Sequence, residues 1–200
     1  MEIIKTDCFG TKRYYKNGKL DRDGDLPAVE WSDGTKWYYK NGKRHRDGDL
    51  PAIENPDGSK YYYKNGELHR DGDLPAIEHG NGTKSHWKNG ELHRDGDLPA
   101  VEWSDGDKEY YKNGKHHRDG NLPAIEYADG TRRYLRNNIE YTKEQVEFMT
   151  RMEKKQTIKV FRYWYDKTYS DPNSEAFKSM MMRDIYALEK EIGQPLLNQK

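Results

Sequence analysis

The sequence lacks cysteine except at Cys8, so no disulfide can form within the chain. A lone thiol favours a reducing compartment. The first seven residues, Met-Glu-Ile-Ile-Lys-Thr-Asp, lack the basic region and the following apolar region of a signal peptide. No stretch approaches the ~20 consecutive apolar residues that a membrane span needs. These absences predict a soluble protein of the cytoplasm or another intracellular location, neither secreted nor transmembrane.

The chain also lacks net charge, because 35 basic residues balance 35 acidic ones. A neutral chain has no bulk electrostatic attraction for nucleic acid or an anionic membrane, so neither is expected as a partner. Large aliphatic and phenylalanine side chains are scarce: Leu, Ile, Val and Phe make up 29 of the 200 residues. Sixteen tyrosines and five tryptophans nevertheless favour an ordered, thin and aromatic-rich fold over disorder.

A tandem repeat organises most of the sequence. The tripeptide Leu-Pro-Ala begins at 26, 50, 74, 98 and 122, so that five copies of a 24-residue unit span residues 11–130 without an insertion. A partial copy follows at 131–139, and residues 1–10 resemble the second half of a unit. Such a period predicts a repeat array, with domain boundaries at 1–141 for the array and 142–200 for a tail.

Each unit carries the signals of a β-hairpin. In the second copy, the aromatic run Lys36–Lys40 has strand propensity, and Asn41-Gly42 is the pair that best fits a tight turn. A polar stretch, 43–49, leads to a second predicted strand, Leu50–Glu54, that closes the hairpin, and Asp57-Gly58 turns into the next copy. The predicted fold is therefore mainly β: an elongated antiparallel hairpin meander of roughly two strands per unit, with a short α-helical C-terminal tail.

Strand alternation assigns the repeated side chains to rows on opposite faces. One row contains Tyr14, Tyr38, Tyr62, His86, Tyr110 and Tyr134, and the row on the other face contains Tyr15, Tyr39, Tyr63, Trp87, Tyr111 and Leu135. A third, apolar row contains Val29, Ile53, Ile77, Val101 and Ile125. Glutamates at 30, 54, 78, 102 and 126 are separated by an intervening strand, which predicts lysines between them.

At this point the unit resembles the MORN repeat, a hairpin repeat of similar length. The resemblance lies in Tyr-Tyr-Lys-Asn-Gly-Lys, a polar loop, an apolar strand and then Asp-Gly-Thr, and it covers Thr11 to about Ile139. Variants with His-Arg-Asp-Gly and Pro-Ala-Ile/Val-Glu are similar to arrays in large DNA viruses of protists and in some bacterial and phage proteins. The glycine usual inside the first MORN strand is absent. The resemblance implies scaffolding and protein binding, by analogy of fold.

Helical signals replace the repeat after Tyr141. Thr142-Lys143-Glu144-Gln145 has the spacing of a capping box, and Val146, Met149, Met152, Val160 and Trp164 suggest a first amphipathic helix. Ser174 is a possible second cap, and Phe177, Met181, Ile185, Leu188 and Ile192 share one face of a second helix, which Gly193 and Pro195 end. The tail either caps an exposed sheet edge or docks a partner, including a second copy of the chain.

Metal, cofactor and catalytic sites are not expected. His45, His69, His93 and His117 lie one unit, ~10 Å, apart and cannot share a zinc ion. Asp21-Arg22-Asp23-Gly24-Asp25 lacks the EF-hand spacing of a calcium loop and is interpreted as a turn with exposed, weak Arg–Asp pairs. Rows of Tyr and Lys can stack on single-stranded nucleic acid, but alternation with Glu and Asp cancels the necessary field. The chain is therefore predicted not to be an enzyme.

The favoured hypothesis is a non-enzymatic scaffold or protein–protein interaction protein, with a viral structural or assembly factor as one form of it. The alternative is an inhibitor or antitoxin-like protein that neutralises a partner enzyme. Partner binding is assigned to Tyr15, Tyr39, Tyr63, His86, Trp87 and Tyr111 on the array, and to Phe177, Met181, Ile185 and Leu188 on the tail. Residues that break the repeat, namely Ser85-His86-Trp87, Asp107 and Asn121, mark either a specific contact or sequence drift.

Overall fold

The computed structural model describes residues 2–168 and 175–193. By its internal contacts the chain divides into two compact units, Met1–Tyr141 and Thr142–Lys200. The first unit is a repeat array of short strands, and the second unit contains helices. The prediction of a mainly β, antiparallel meander followed by a helical tail is confirmed.

The strands of the array are short and follow one another in a regular order. In the described residues they are β1 (Glu2–Thr6), β2 (Lys12–Lys16), β3 (Lys19–Leu20), β4 (Val29–Glu30), β5 (Lys36–Trp37), β6 (Tyr39–Lys40), β7 (Lys43–Arg44), β8 (Ile53–Glu54), β9 (Lys60–Tyr61), β10 (Tyr63–Lys64), β11 (Glu67–Leu68), β12 (Ile77–Glu78), β13 (Lys84–Ser85), β14 (Trp87–Lys88), β15 (Glu91–Leu92), β16 (Val101–Glu102), β17 (Lys108–Glu109), β18 (Tyr111–Lys112), β19 (Lys115–His116), β20 (Ile125–Glu126), β21 (Arg132–Arg136) and β22 (Ile139–Tyr141).

The main sheet is an antiparallel meander that advances by two strands per unit. Its order is β1-β2-β4-β5-β8-β9-β12-β13-β16-β17-β20-β21-β22, with β3 attached to β2. Along it, Glu54 lies between Lys36 and Lys60, and Lys84 lies between Glu78 and Glu102. The predicted alternation of glutamates and lysines is confirmed. Opposite charges on directly opposed positions stabilise such a narrow sheet.

The Asn-Gly turn closes a separate hairpin beside the main sheet. Tyr39–Lys40 pairs with Lys43–Arg44, and the same small hairpin recurs as β10–β11, β14–β15 and β18–β19. The prediction that Leu50–Glu54 closes the hairpin of the Asn-Gly turn is therefore wrong, and only Ile53–Glu54 of that segment forms a strand.

The reason for this division of the aromatic run is the backbone of Tyr38. Its N–H donates to the carbonyl of Ala52 at 2.7 Å, on the main-sheet side. Its C=O accepts from the N–H of His45 at 3.2 Å, on the side of the small hairpin. Because one residue serves two different pairings, a five-residue strand becomes two two-residue strands. The same pair of bonds recurs at Tyr62, His86 and Tyr110.

The buried interior of the array is thin and consists of repeated positions. The alanines at 28, 52, 76, 100 and 124 are fully buried, and most side chains of the Tyr38 row and all those of the Val29 row are buried to a slightly smaller extent. Val29 and Ile53 both lie opposite Trp37 across the sheet, so aromatic and β-branched side chains pair across strands. The scarcity of aliphatic residues is thereby accommodated by a fold without a large core.

The second unit has two helices in its described residues, α1 (Lys143–Thr168) and α2 (Glu175–Glu191). The capping box at the start of α1 is reciprocal: the Thr142 N–H donates to Gln145 Oε1 at 2.8 Å, and the Gln145 N–H donates to Thr142 Oγ1 at 3.2 Å. Gly193, at φ +64°, follows the end of α2 in the left-handed conformation typical of helix ends. The predicted Ser174 cap and Pro195 lie outside the described residues.

The buried apolar residues of the two helices agree with the prediction on α2 and differ from it on α1. On α2, Met181, Ile185 and Ile192 are buried as expected. On α1, the buried apolar positions are Val146 and Ile158, whereas Met152, Val160 and Trp164 are exposed. Of these two, Ile158 packs with Ile185 and Ile192 in the apolar cluster of the helical unit, with Phe161 of α1 partly buried against it.

Candidate functional site

Four polar loops of the array each contain an arginine that links two consecutive units, at 46, 70, 94 and 118. Arg46 donates from Nε to Asp25 Oδ1 at 2.7 Å and from Nη2 to Asp25 Oδ2 at 3.0 Å, across 21 residues of sequence. Its Nη1 donates to Glu54 Oε1 at 2.9 Å and to the Pro51 carbonyl. The guanidinium lies 3.7 Å from the Tyr38 ring centroid. The contacts to Asp, Glu and Pro recur at Arg70, Arg94 and Arg118.

These arginine contacts refine the interpretation of the loop as a turn with exposed Arg–Asp pairs, because Asp25 is 54% exposed whereas Arg46 is not. The Arg46 side chain is only 12% exposed and its bond to Asp25 is bidentate. Two parallel charge-assisted bonds are stronger and more directional than a surface pair. The Arg46 hydrogen bond also holds the pKa of Asp25 below its usual value. The loop conformation is thus set by contacts between units.

The loop histidines form a second link between consecutive units. Nδ1 of His69 accepts the backbone N–H of Asn89 at 3.1 Å, and Nε2 of the same ring lies 3.1 Å from Asp71 Oδ1. Because Nδ1 accepts, the ring proton resides on Nε2 and is donated to the aspartate. His45, His93 and His117 repeat this arrangement, and in the first copy Asp21 accepts the equivalent N–H at 2.8 Å.

Between consecutive units the linked loops line open grooves. Four such grooves occur in the described array, with volumes of about 390, 180, 360 and 540 Å³ in chain order. Each has equivalent walls: the Arg-Asp-Gly-Asp-Leu loop of one unit, preceded by His or, in the first groove, by Asp21; the aromatic-Lys segment of the next unit; and the loop that follows it. We call these the inter-unit grooves.

An exposed leucine stands at the same place in each groove. Leu26, Leu50, Leu74 and Leu98 line the grooves in order, and Leu122 occupies the equivalent loop position of the fifth copy. The exposed fraction of these five side chains lies between 40% and 47%. We call them the leucine row. The sequence analysis placed Leu50 in the predicted strand Leu50–Glu54, and the signal that could have placed it outside the sheet is Pro51, which has no N–H to donate.

The charges that surround the leucines cancel in pairs. The third groove is lined by Arg70, Lys88 and Arg94, and by three aspartates at 71, 73 and 95. Lys88 pairs with Asp95 at 3.0 Å, and Arg94 pairs with Asp73 at 2.7 Å. An uncharged apolar group therefore meets no unpaired arginine or lysine among these residues when it enters the groove.

The structure brings most of the predicted array residues to the inter-unit grooves. Tyr39, Tyr63, Trp87 and Tyr111 line them and are partly buried. Tyr15 lies in β2 under the Lys5 side chain, 5.2 Å from the ring centroid, and does not line a described groove. His86 also lines the third groove, but its side chain is only 5% exposed, so most of the ring lies in the interior of the array. Burial lowers the pKa of His86, and its Nδ1 has no hydrogen-bond partner.

The predicted tail residues do not form an open docking face. Met181 and Ile185 are buried, and Leu188 packs against the cluster of Ile158, Ile185 and Ile192 between α1 and α2. The side chain of Phe177 lies outside the described residues. The exposed apolar residues of the helical unit are instead Phe148, Met152, Val160, Tyr163, Trp164 and Met180.

The departures from the repeat have local structural reasons. Asn121 replaces the aspartate that elsewhere binds the arginine 21 residues later, and the position where that arginine would stand is Thr142. Asp107 accepts the N–H of Ala128 at 2.7 Å, as Thr83 and Ser59 do for Ser104 and Gly80. Ser85 accepts from Trp87 Nε1 at 2.8 Å. The Asp107 substitution thus preserves a hydrogen bond to the next unit, whereas Asn121 stands where no arginine partner follows.

Within residues 2–168 and 175–193, no group of three or more His, Cys, Asp or Glu side chains is placed to hold a metal ion. Over the same described residues, no helix has the length and apolar character required to cross a membrane.

Comparisons of the chain with protein-family models, with curated proteins and with solved structures return no match.

Proposed function

We propose that this chain is a non-enzymatic scaffold protein whose repeat array binds another protein along the inter-unit grooves. The observation that carries this proposal is the leucine row, five large apolar side chains exposed at equivalent positions of consecutive units. Single exposed leucines are ordinary on protein surfaces, whereas exposed apolar residues that recur in register are typical of interaction sites. The resemblance of the unit to the MORN repeat points to the same class of function.

The contacts around the leucines explain why they stay exposed. The Pro-Ala residues that follow each leucine are largely buried, and the arginine that precedes it is tied to the neighbouring unit. The leucine therefore lies on a loop that is held in place from both sides. A rigid apolar group loses little conformational entropy on binding, which favours its use as an anchor.

The ionisable groups of the grooves support a binding role over catalysis. Lys88, Arg94 and their aspartate partners are engaged in ion pairs, and the same groups recur in every unit. A catalytic site requires one asymmetric set of groups with a nucleophile or base directed at the substrate. Regular repetition of paired charges serves recognition of an extended partner.

The magnitude of the apolar contribution indicates that several grooves act together. Complete burial of a leucine contributes ~1.5–3 kcal/mol, so covering the exposed part of one side chain contributes about 1 kcal/mol. Association costs several times that amount in lost freedom of motion. A partner must therefore engage several leucines at once.

The test is capture of partners from the native source by the full chain and by two matched variants. The first variant, L50S/L74S/L98S, removes three leucines of the row. The control, I4S/F9S/I139S, removes three apolar side chains that are also exposed on the array but line no described groove. We expect a partner that the wild type and the control retain and the leucine variant loses, with unchanged circular dichroism. Equal capture by all three proteins overturns the proposal.

A further inference from the structure

The spacing of the leucine row restricts the conformation of its partner. Consecutive units advance by two strands of the main sheet, and neighbouring strands lie ~4.7–4.9 Å apart. Equivalent positions of the sheet therefore advance by ~9.4–9.8 Å per unit along the array. The leucines occupy equivalent loop positions and advance with the units, so four such steps separate the first leucine from the fifth. A partner that engages the whole row must present an apolar group at the same interval.

The regular backbone conformations differ in the distance at which side chains recur on one face, and this distance can be compared with the advance per unit. A polyproline II helix has three residues per turn and a rise of ~3.1 Å, so every third side chain recurs on one face at ~9.3 Å. A β-strand repeats a face at ~6.7 Å, and an α-helix approaches the interval only at seven residues, ~10.5 Å. Over four intervals the accumulated mismatch is about 1 Å for polyproline II and about 4 Å for the α-helix. The strand is in error by more than 10 Å.

The walls of the grooves favour the same conformation. Tyr39, Tyr63, Trp87 and Tyr111 line successive grooves beside the leucines. Aromatic-lined grooves are the sites at which proline-rich segments bind, because a preformed polyproline II helix loses little entropy on binding. The paired charges of the walls leave no net charge for a strongly charged segment to match.

We propose that the inter-unit grooves bind a proline-rich segment of a partner protein in the polyproline II conformation, with one apolar side chain at every third residue. Each such side chain packs against one leucine of the row and the aromatic ring of the same groove. The segment runs along the array, and its affinity grows with the number of grooves that it fills. This inference deepens the proposed function and rests on it.

The direct test uses fluorescently labelled synthetic peptides and the full chain, with anisotropy as the readout. The probe is five repeats of Pro-Ser-Leu, in which leucine recurs at every third residue. A peptide of the same composition with its leucines grouped together is the control for hydrophobicity. A helix-favouring peptide with leucine at every seventh residue is the control for conformation. We expect the Pro-Ser-Leu peptide to bind about tenfold or more tightly than either control.

Two further measurements examine the groove-by-groove arrangement. Shortening the probe from five repeats to two should weaken binding by about tenfold or more, since fewer sites are linked in one ligand. The L50S/L74S/L98S variant should weaken binding of the five-repeat probe by a similar factor. The I4S/F9S/I139S control should bind it as the wild type does.

The outcomes separate this inference from the proposed function. Stronger binding of the heptad peptide, or equal binding of the grouped-leucine peptide, overturns the polyproline II inference. Absence of binding by the five-repeat probe overturns it as well. If a leucine-dependent partner is nevertheless captured from the native source, the proposed function stands without this inference. If capture does not depend on the leucines, both fail.

Discussion

At the scale of single residues, His86 shows how one position of a repeat departs from its neighbours. Tyr14, Tyr38, Tyr62 and Tyr110 occupy the equivalent places, and each ring lies 3.6 or 3.7 Å from an arginine guanidinium. His86 has no hydrogen-bond partner at its buried Nδ1. An unsatisfied buried nitrogen costs about 1–3 kcal/mol, so the fourth copy is a weak place in the array.

We therefore expect His86→Tyr to stabilise the array by about 1 kcal/mol, since it removes the unsatisfied nitrogen and restores an Arg94–ring contact. Burial lowers the pKa of His86, so the folded state favours the neutral ring. The corresponding stability is complete above the unfolded pKa of about 6.5 and is lost as the pH falls below that value and through the lower pKa of the folded state. Urea unfolding followed by near-ultraviolet circular dichroism at pH 8 and pH 5.5 measures both effects.

The expected result is a larger advantage of His86→Tyr over the wild type at pH 5.5 than at pH 8. Tyr62→His, the reverse change in the preceding copy, serves as the matched control. It should destabilise the array, and the loss of stability should be larger at pH 5.5 than at pH 8. If His86→Tyr lowers stability at both pH values, the histidine is better accommodated than its unpaired nitrogen indicates.

At the scale of the elements, the loops and not the strands contain the longest-range links of the array. The strands of the main sheet are mostly two residues long, and two-residue pairings alone provide little stability. The Arg–Asp and His–Asn contacts join loops and turns that are 20 or 21 residues apart in the sequence. The small hairpins are joined as well, because the Gly66 N–H donates to the Arg44 carbonyl at 2.8 Å.

The loop contacts predict opposite outcomes for two similar substitutions. Asp97→Asn removes a carboxylate that binds Arg118 at 2.6 and 2.9 Å, so we expect a loss of about 1 kcal/mol. Asn121→Asp adds a carboxylate at the equivalent position of the fifth copy, where no arginine stands 21 residues later. We expect that change to alter stability by less than about 0.5 kcal/mol.

The free energy of unfolding of both variants, from urea titrations at pH 7 and low salt, checks this pair of expectations. Equal effects of the two substitutions would show that the bidentate contact contributes little. Asp97→Asn removes one negative charge and Asn121→Asp adds one. A general effect of net charge would therefore change the free energy of unfolding by equal amounts of opposite sign in the two variants.

At the scale of the whole molecule, the array behaves as a one-dimensional stack of equivalent units. The strand pairings join neighbouring segments, and the loop contacts reach only the next unit. The stability of such stacks is approximately the sum of unit and interface terms. The array should therefore remain folded when its number of repeats changes, provided that whole units are removed.

We expect deletion of residues 59–82, one complete unit, to leave a folded array with a modestly lower midpoint of urea unfolding. The deletion brings Asp49 into the place that Asp73 holds relative to Arg94. Deletion of residues 59–70, half a unit, should abolish cooperative unfolding because it breaks the register of strands and loop contacts. Near-ultraviolet circular dichroism and urea titration distinguish the two. A 24-residue deletion that unfolds the array contradicts independence of the units.

The sequence alone was sufficient for the parts of the fold that depend on local chemistry. The Asn-Gly turns and the buried positions of α2 follow from residues close together in the chain, and the 24-residue period and the Glu–Lys alternation follow from repetition of one unit. The capping box at Thr142 is also local, since its two hydrogen bonds join residues three apart. These features depend on backbone preferences and side-chain spacing, both of which can be read from the order of the residues.

Only the tertiary structure decided which of the repeated side chains are buried and which are open. The division of the strand at Tyr38, the burial of Arg46 against Asp25 and the exposure of Leu50 all depend on which backbone lies beside each loop. Tyr38 pairs with Ala52 across the loop of its own unit, and Arg46 reaches Asp25 in the preceding unit, 21 residues away, so no local pattern specifies either contact. The grooves between units exist only after stacking, and for this reason the tyrosine row could be predicted while the leucine row could not.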